Sequence, residues 1–442
     1  MTELEYRIKH GGFTPKQILK GISRRHFNAA LLGGLAATQL SRPLRATPGA
    51  DFTLAVIPDP QNLAVACPAS PAGSYYTGMM NWINTNKNLT LTTSPGGSFG
   101  ANIKAVVGVG DCLNNPGGSE TTNAVAGWTV LDSNSLAWVT PPGNHDYGSN
   151  APATRSNLGS HFKTTGFFAA SSRSAVYGAG ISLGGGDMAY WVDSFDTTGA
   201  NIAVKFVISG IKMLFISMDF FAGSSAWNWA YGVHQANLDC ECYITTHGWL
   251  RMNGNQFARL DTNGPGSASY SMADSPYSNS TQQAWSGTGA SGLTASVSTW
   301  NNLFGCFGGH DIDPASSGSP AWYWQRTPVS SSSARGQTVQ QFFANSQEID
   351  AGCSGSASLI SGAGQLAQVF LLSRRPSLGL LEGRMLSTVT GDWIGPRPSG
   401  FPSGSAGWFT SEQLLFSIPF DGLSATLPSS QPSGVRASGV RA

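Results

Sequence analysis

Charge is what this chain has least of. Only 11% of its 442 residues are Asp, Glu, Lys or Arg, against ~25% in ordinary soluble domains, so neutral polar side chains must cover most of the surface. The formal net charge of +1 sets up no large field, and no stripe of Lys or Arg alternates with aromatics. Both absences argue against long nucleic acid as a partner. Long apolar runs are missing as well: beyond the N-terminal region nothing approaches the ~18 uninterrupted apolar residues of a membrane helix, so no membrane span is expected in the mature chain. Internal repeats are absent. The Cys-x-Cys pair Cys240 and Cys242 has no second pair at zinc-knuckle spacing.

What remains is enough to fold. With 40% hydrophobic and 10% aromatic residues the chain can offset the entropy cost of ordering, which excludes global disorder. The 55 glycines predict many loops. The length fits two or three domains, or one catalytic domain with large insertions. Six cysteines, at 67, 112, 240, 242, 306 and 353, permit disulfides in an exported chain; structural thiols or bridges are expected.

Residues 1–50 read as an export leader. Ser23-Arg24-Arg25-His26-Phe27 precedes a modestly apolar stretch from Ala29 to Leu40, then Arg42, Arg45 and the small residues Pro48-Gly49-Ala50. Its arginine pair resembles a twin-arginine signal, which implies a periplasmic or secreted protein that folds before transport.

Downstream, residues 51–427 are expected to form one domain, followed by a mobile tail at 428–442. Short apolar runs predict buried strands at Phe52 to Ile57 and Ile103 to Val109, with a helix between them around Tyr75 to Asn86, so a β-α-β unit and a parallel sheet follow. More strands are expected at Ala137 to Thr140, Ile202 to Ile208, Lys212 to Met218 and Cys242 to Thr246. From Val339 to Phe343, Leu366 to Leu372, Leu378 to Leu381 and Leu414 to Ile418, further runs read as a closing sheet. Between about 251 and 299 the chain is rich in Gly, Ser, Thr and Asn, the composition of a surface insertion or lid.

Metal-capable side chains fall just after these apolar runs in five short motifs: Asp59-Pro60-Gln61, Gly110-Asp111 with Asn114, Gly143-Asn144-His145-Asp146, Thr246-His247-Gly248 and Gly309-His310-Asp311. Loop tips of open α/β sheets are where ligands bind. Asp, Asn and His offer hard oxygen and borderline nitrogen donors suited to Mn, Fe or Zn. A carboxylate shared by two ions can hold them ~3.5–4 Å apart, as two-metal hydrolysis requires. Of the seven histidines, His10 and His26 belong to the leader region. Three of the other five lie in the motifs, which leaves His161 and His234 for structural or surface roles.

The order of these motifs resembles the calcineurin-like metallophosphoesterase superfamily, whose pattern runs Asp-x-His, Gly-Asp, Gly-Asn-His-Asp/Glu, a lone His, then Gly-His-x-His. Pro58-Asp59-Pro60-Gln61 is similar to the first motif of a bacterial subset, as is the segment Gly336 to Asn345. The resemblance covers roughly Asp51 to Asp313, plus strands to about Pro419, and implies a four-layer α/β/β/α sandwich with two metal ions at the sheet edge. It implies Asp111 as the bridging ligand, with Asn144, His247 and His310 at the second ion and Asp59 and Gln61 at the first. Gln61 stands where the family more often has His, and Ile312 where it has its final His, so the first site is expected to bind more weakly; Asp311 and Asp313 flank that position. The implied activity is hydrolysis of a small phosphate mono- or diester by a metal-bound hydroxide, with His145 as general acid and Asp146 orienting it.

Two other classes compete. A degenerate, exported binding or surface protein with one structural ion would use some of the 13 tryptophans, such as Trp227, Trp229, Trp322 and Trp324, to stack on sugars. A serine hydrolase would use Gly-x-Ser-x-Gly, present at residues 96–100 and 180–184, but neither match lies between a clear strand and a helix.

Overall fold

The computed structural model describes residues 49–65, 73–148, 157–220, 222–251, 300, 302–311, 322–328, 338–346, 367–395, 407–409 and 411–420. The expected leader, nearly all of the insertion at 251–299, Ile312, Asp313, Cys67, Cys353 and the tail lie outside these residues.

Two mixed sheets make an α/β fold. In the first, β1 (Phe52–Ile57) pairs in parallel with β4 (Ile103–Gly108), and β4 with β5 (Ala137–Val139). On its other side β1 takes β14 (Gln368–Arg375) antiparallel, followed by β15 (Leu380–Ser387), with β16 (Trp393–Gly395), β17 (Gly407–Phe409) and β18 (Phe416–Pro419) completing the edge. A small hairpin joins β2 (Thr90–Leu91) to β3 (Phe99–Gly100). The second sheet has four parallel strands: β9 (Ile211–Met218), β10 (Glu241–Arg251), β11 (Leu303–Asp311) and β13 (Thr338–Ala344). Antiparallel strands finish both of its edges, namely β12 (Trp322–Pro328) at one and β6 (Ile181–Gly184), β7 (Asp187–Ser194) and β8 (Ile202–Ile208) at the other. The closing strands expected after Gly336 therefore divide, with β13 in the second sheet and the others in the first.

The inner faces of the two sheets bury one shared cluster, in which Leu54, Val56 and Val107 meet Val204, Phe206, Phe215, Phe307 and Phe342. Alternation along each strand then sends the next residues to the opposite face. Ala55, Ile57 and Val106 pack with Tyr76, Met79, Met80 and Ile83 of helix α1 (Ser74–Thr85) and with Trp128 and Leu131 of α2 (Gly118–Ser133). The expected helix at Tyr75 to Asn86 matches α1 within a residue. Its partner α2 escaped prediction because Gly127 interrupts a weak pattern. That glycine has a packing reason: a Cβ there would lie 2.4 Å from the Tyr76 ring, and the close approach lets Trp128 Nε1 donate to Tyr76 Oη at 2.8 Å. Helix α3 (Ala170–Tyr177) is anchored by Arg173, which pairs with Asp132 at 2.8 Å. On the outer face of the second sheet, Leu214, Ile216 and Ile244 pack with Ala226, Trp227, Ala230 and Val233 of α4 (Ser224–Gln235). Cys112, Cys240, Cys242 and Cys306 are buried free thiols, so of the two outcomes expected for the cysteines these four take the unbridged one. No helix among the described residues is long and apolar enough to cross a membrane.

Candidate metal centre

Because β1, β4 and β5 run parallel, the loops carrying Asp59, Asp111 and Asn144 leave the same edge of the first sheet. His247 and His310 stand near the C-terminal ends of β10 and β11. Neither is on a loop after its strand, as the sequence suggested. β10 runs on through His247 to Arg251, and its pairing with β11 shifts register between Thr245 and Gly248, the kind of irregularity that re-aims a side chain. Two bonds tie the sheets together here: Thr245 Oγ1 donates to the Gly108 carbonyl at 2.7 Å, and His247 Nδ1 contacts the Val109 carbonyl at 2.9 Å.

The second bond decides the state of His247. A carbonyl oxygen only accepts, so Nδ1 carries a proton and the ring turns Nε2 towards the site. That nitrogen lies 3.0 Å from Asp111 Oδ2, and neither atom has another hydrogen-bond partner among the described residues. Both are sealed from solvent. A carboxylate oxygen and an imidazole nitrogen so close in a buried site share a cation, either a proton on Nε2 or a metal ion. His310 adds a third donor: one ligand atom each from Asp111, His247 and His310 lie within 4.8 Å of one another. The Asn144 amide is buried with neither Oδ1 nor Nδ2 bonded, and Gln61 Oε1 is likewise buried and unbonded among the described residues. Orphaned buried polar atoms on this scale are costly unless an ion satisfies them, so the residues present fit a metal.

Burial alone would raise the Asp111 carboxyl, but positive charge on His247, His145 and His310 outweighs it and holds the group below its ordinary value. Burial, helped by His247, pushes the His310 imidazole well below its ordinary value. Asp111 and His310 have φ of +49° and +75°, a left-handed conformation that non-glycine residues adopt at a cost of about 1–3 kcal/mol and that clusters at functional sites. Glycine is required beside them. A Cβ on Gly143 would sit 2.0 Å from Asp111 Oδ1, and one on Gly110, at φ +98°, would sit 2.7 Å from the His247 side chain.

Asp59 and Gln61 flank one turn after β1. Gln61 N donates to Asp59 Oδ1 at 3.2 Å and both residues are buried. Asp59 does not join the tight Asp111, His247 and His310 group among the described residues, so the structure draws the proposed second-ion ligands together more closely than those of the first. Of the residues flanking the missing final His, Asp311 ends β11.

His145 begins differently from expectation. Its backbone N–H donates to Asp111 Oδ1 at 2.8 Å, and its ring Nδ1 contacts the Asn114 carbonyl at 2.8 Å. By the same logic Nδ1 holds a proton and Nε2 is the working nitrogen of a half-buried ring. Asp146 does not orient it. Asp146 Oδ2 accepts from Cys112 N at 3.1 Å and Gly143 N at 2.8 Å, while Oδ1 meets His161 Nε2 at 3.1 Å. Asp146 thus joins the Asp111 loop to the Asn144 loop, and His161, buried among Phe162 and Phe168, holds it there. Asn114, whose side chain was a candidate, contributes its carbonyl instead.

Sequence reasoning missed Phe220, whose ring lies 4.8 Å from His310 and 5.5 Å from His247, and Tyr147, which donates to Asp219 Oδ1 at 2.5 Å. The pattern of an acidic residue after an apolar run, at Asp219 following β9, was a usable signal. His234 is buried against Trp300 and away from this centre, in keeping with a structural role. Trp227 is buried in the core, which removes it from a sugar-stacking surface, while Trp229 is half-buried and donates to Asp193 at 2.9 Å. The two Gly-x-Ser-x-Gly serines lie just before β3 and within the β6–β7 hairpin, with no strand-to-helix elbow at either.

No protein-family model and no curated protein matches this chain.

Proposed function

We propose that the chain is a metal-dependent phosphoric ester hydrolase of the calcineurin-like metallophosphoesterase type, acting on a small mono- or diester. The observation that carries the reading is the convergence of Asp111, His247 and His310, one ligand atom of each lying within 4.8 Å of the others in a buried site. Support for the four-layer α/β/β/α sandwich comes from the three separate core clusters, one between the sheets and one under helices on each outer face.

In this reading Asp111, Asn144, His247 and His310 hold one ion of the Mn, Fe or Zn class, and Asp59 and Gln61, with Asp111 shared, serve a weaker second. When bound, such ions lower the pKa of water and offset charge on the phosphoryl oxygens. The chain's own contribution is positional. Val109 fixes the His247 tautomer, Gly110 and Gly143 allow the ligands to converge, and Asp146 locks the two loops. His145 donates a proton from Nε2 to the leaving oxygen while its Nδ1–H stays on the Asn114 carbonyl, a bond compatible with the charged ring. Arg24-Arg25 ahead of a modestly apolar stretch supports a periplasmic or secreted setting.

Elemental analysis of the purified protein, with hydrolysis of a mono- and a di-aryl phosphate by wild type and His145→Ala, tests the proposal. Bound metal with activity lost in the variant is expected. A metal-free protein, inactive across added Mn, Fe and Zn, would overturn it in favour of a binding protein.

A further inference from the structure

One carboxylate near the site has no part in the reading above. Glu120 stands in the first turn of α2, where an acidic side chain commonly reaches back to the free backbone donors of the preceding turn. Here it reaches further. Glu120 Oε2 accepts from Asn114 N at 3.0 Å and Asn115 N at 2.7 Å, and Oε1 accepts from Asn115 Nδ2 at 3.4 Å. The peptide segment so clamped is the one whose Asn114 carbonyl holds His145 Nδ1 at 2.8 Å. The loop contains Pro116 and runs through Gly117 to Gly118, at φ +51°, where α2 begins, and Glu120 is the side chain that takes both of its Asn114 and Asn115 backbone donors.

We infer that Glu120 is a positioning residue for His145: by fixing the backbone of Asn114 and Asn115 it fixes the carbonyl that sets the tautomer and direction of the His145 ring. Its hydrogen bonds among the described residues go to Asn114 and Asn115 and to none of the proposed metal ligands. The inference rests on the proposed role of His145 as proton donor, and it specifies a readout. A proton donor matters most when the leaving group is a poor one, so loosening the clamp must penalise alkyl esters more than aryl esters with acidic phenols.

The test compares wild type, Glu120→Ala and Glu120→Gln. Both backbone donors use a single oxygen of Glu120, which a glutamine carbonyl can supply, so Glu120→Gln should rescue. For Glu120→Ala the expected result is a fall in kcat of about 10- to 100-fold on an alkyl phosphate, a much smaller fall on 4-nitrophenyl phosphate, unchanged KM and unchanged metal content. Amide hydrogen exchange at Asn114 and Asn115 should quicken in Glu120→Ala alone, and nitrogen NMR of the His145 ring, taken at a pH where the ring has given up its Nε2 proton, should show loss of the Nδ1–H tautomer preference. Equal losses on both esters, loss of metal, or a tautomer preserved in Glu120→Ala would overturn the inference. A wild type that hydrolyses neither ester would overturn the hydrolase reading instead, and the exchange and tautomer measurements would still decide the clamp.

Discussion

Asp146 Oδ1 and His161 Nε2 lie 3.1 Å apart with both side chains shielded from solvent, while the second oxygen of Asp146 takes the backbone N–H groups of Cys112 and Gly143. One carboxylate thereby holds three segments that are separate in sequence. Asp146→Ala strips buried partners from two amides and an imidazole at once. At about 1–3 kcal/mol for each buried donor left unmet, a loss on the order of 3 kcal/mol or more is expected in denaturant unfolding, together with weakened metal binding. A near-neutral Asp146→Ala would refute the locking role.

His145→Ala should separate chemistry from architecture. The substitution keeps the backbone N–H that Asp111 accepts from, so Tm and metal content should hold while turnover falls by about 10²–10⁴. Steady-state kinetics beside a thermal melt will tell. Retained turnover would remove His145 from proton transfer.

Metal should stabilise the fold through Asp111 and His247. Ligand present at a hundred times its Kd adds about 2.7 kcal/mol, so chelation should lower Tm by several degrees and re-addition of Mn, Fe or Zn should restore it. In His247→Ala the response to metal should vanish. An unchanged metal response in that variant would place the ion elsewhere.

Gly143→Ala should fail for steric reasons. Its Cβ would lie 2.0 Å from Asp111 Oδ1 and 2.5 Å from Asp111 N, so the backbone must shift and the ligand with it. Reduced metal affinity is expected by calorimetric titration, well beyond the ±0.5 kcal/mol of an ordinary surface substitution. Wild-type affinity would show the loop to be pliable.

Acid should weaken the fold partly through His234. Burial pushes its imidazole down to about 4 from an ordinary value of 6.5, so the folded state resists a proton that the unfolded chain accepts. Its contribution is intact above pH 6.5 and is lost as pH falls from there through 4, by up to about 3 kcal/mol. Urea midpoints measured across pH 4–7 should fall less steeply in His234→Gln than in wild type. Identical slopes would show that His234 is not the group that titrates.

How much of this was legible varied with the kind of interaction. The strand Phe52–Ile57 was readable because a nearly continuous apolar run bounded by Asp51 and Pro58 has few other uses. The β-α-β pattern made β4 a legible parallel neighbour of β1, but its other neighbour was not. β14 lies beside β1 across more than 300 residues of chain, and an apolar run carries no label for its neighbour. Asp111, His247 and His310 stood out because a buried acid or imidazole needs a reason. The restraint on His145 did not, since every residue has a carbonyl and only folding selects that of Asn114.

The sequence by itself determined the α/β class, the strands at whose ends the chemistry collects, and the identity of Asp59, Gln61, Asp111, Asn144, His145, His247 and His310 as candidates, because those properties reside in local composition and side-chain type. Tertiary structure alone decided that Asp146 serves His161 and two loops rather than His145, that Cys112, Cys240, Cys242 and Cys306 remain thiols, and that Val109 aims His247 Nε2 at Asp111. These depend on distances of about 3 Å between atoms tens to hundreds of residues apart, and hydrogen bonds form only where packing brings donor and acceptor within that reach.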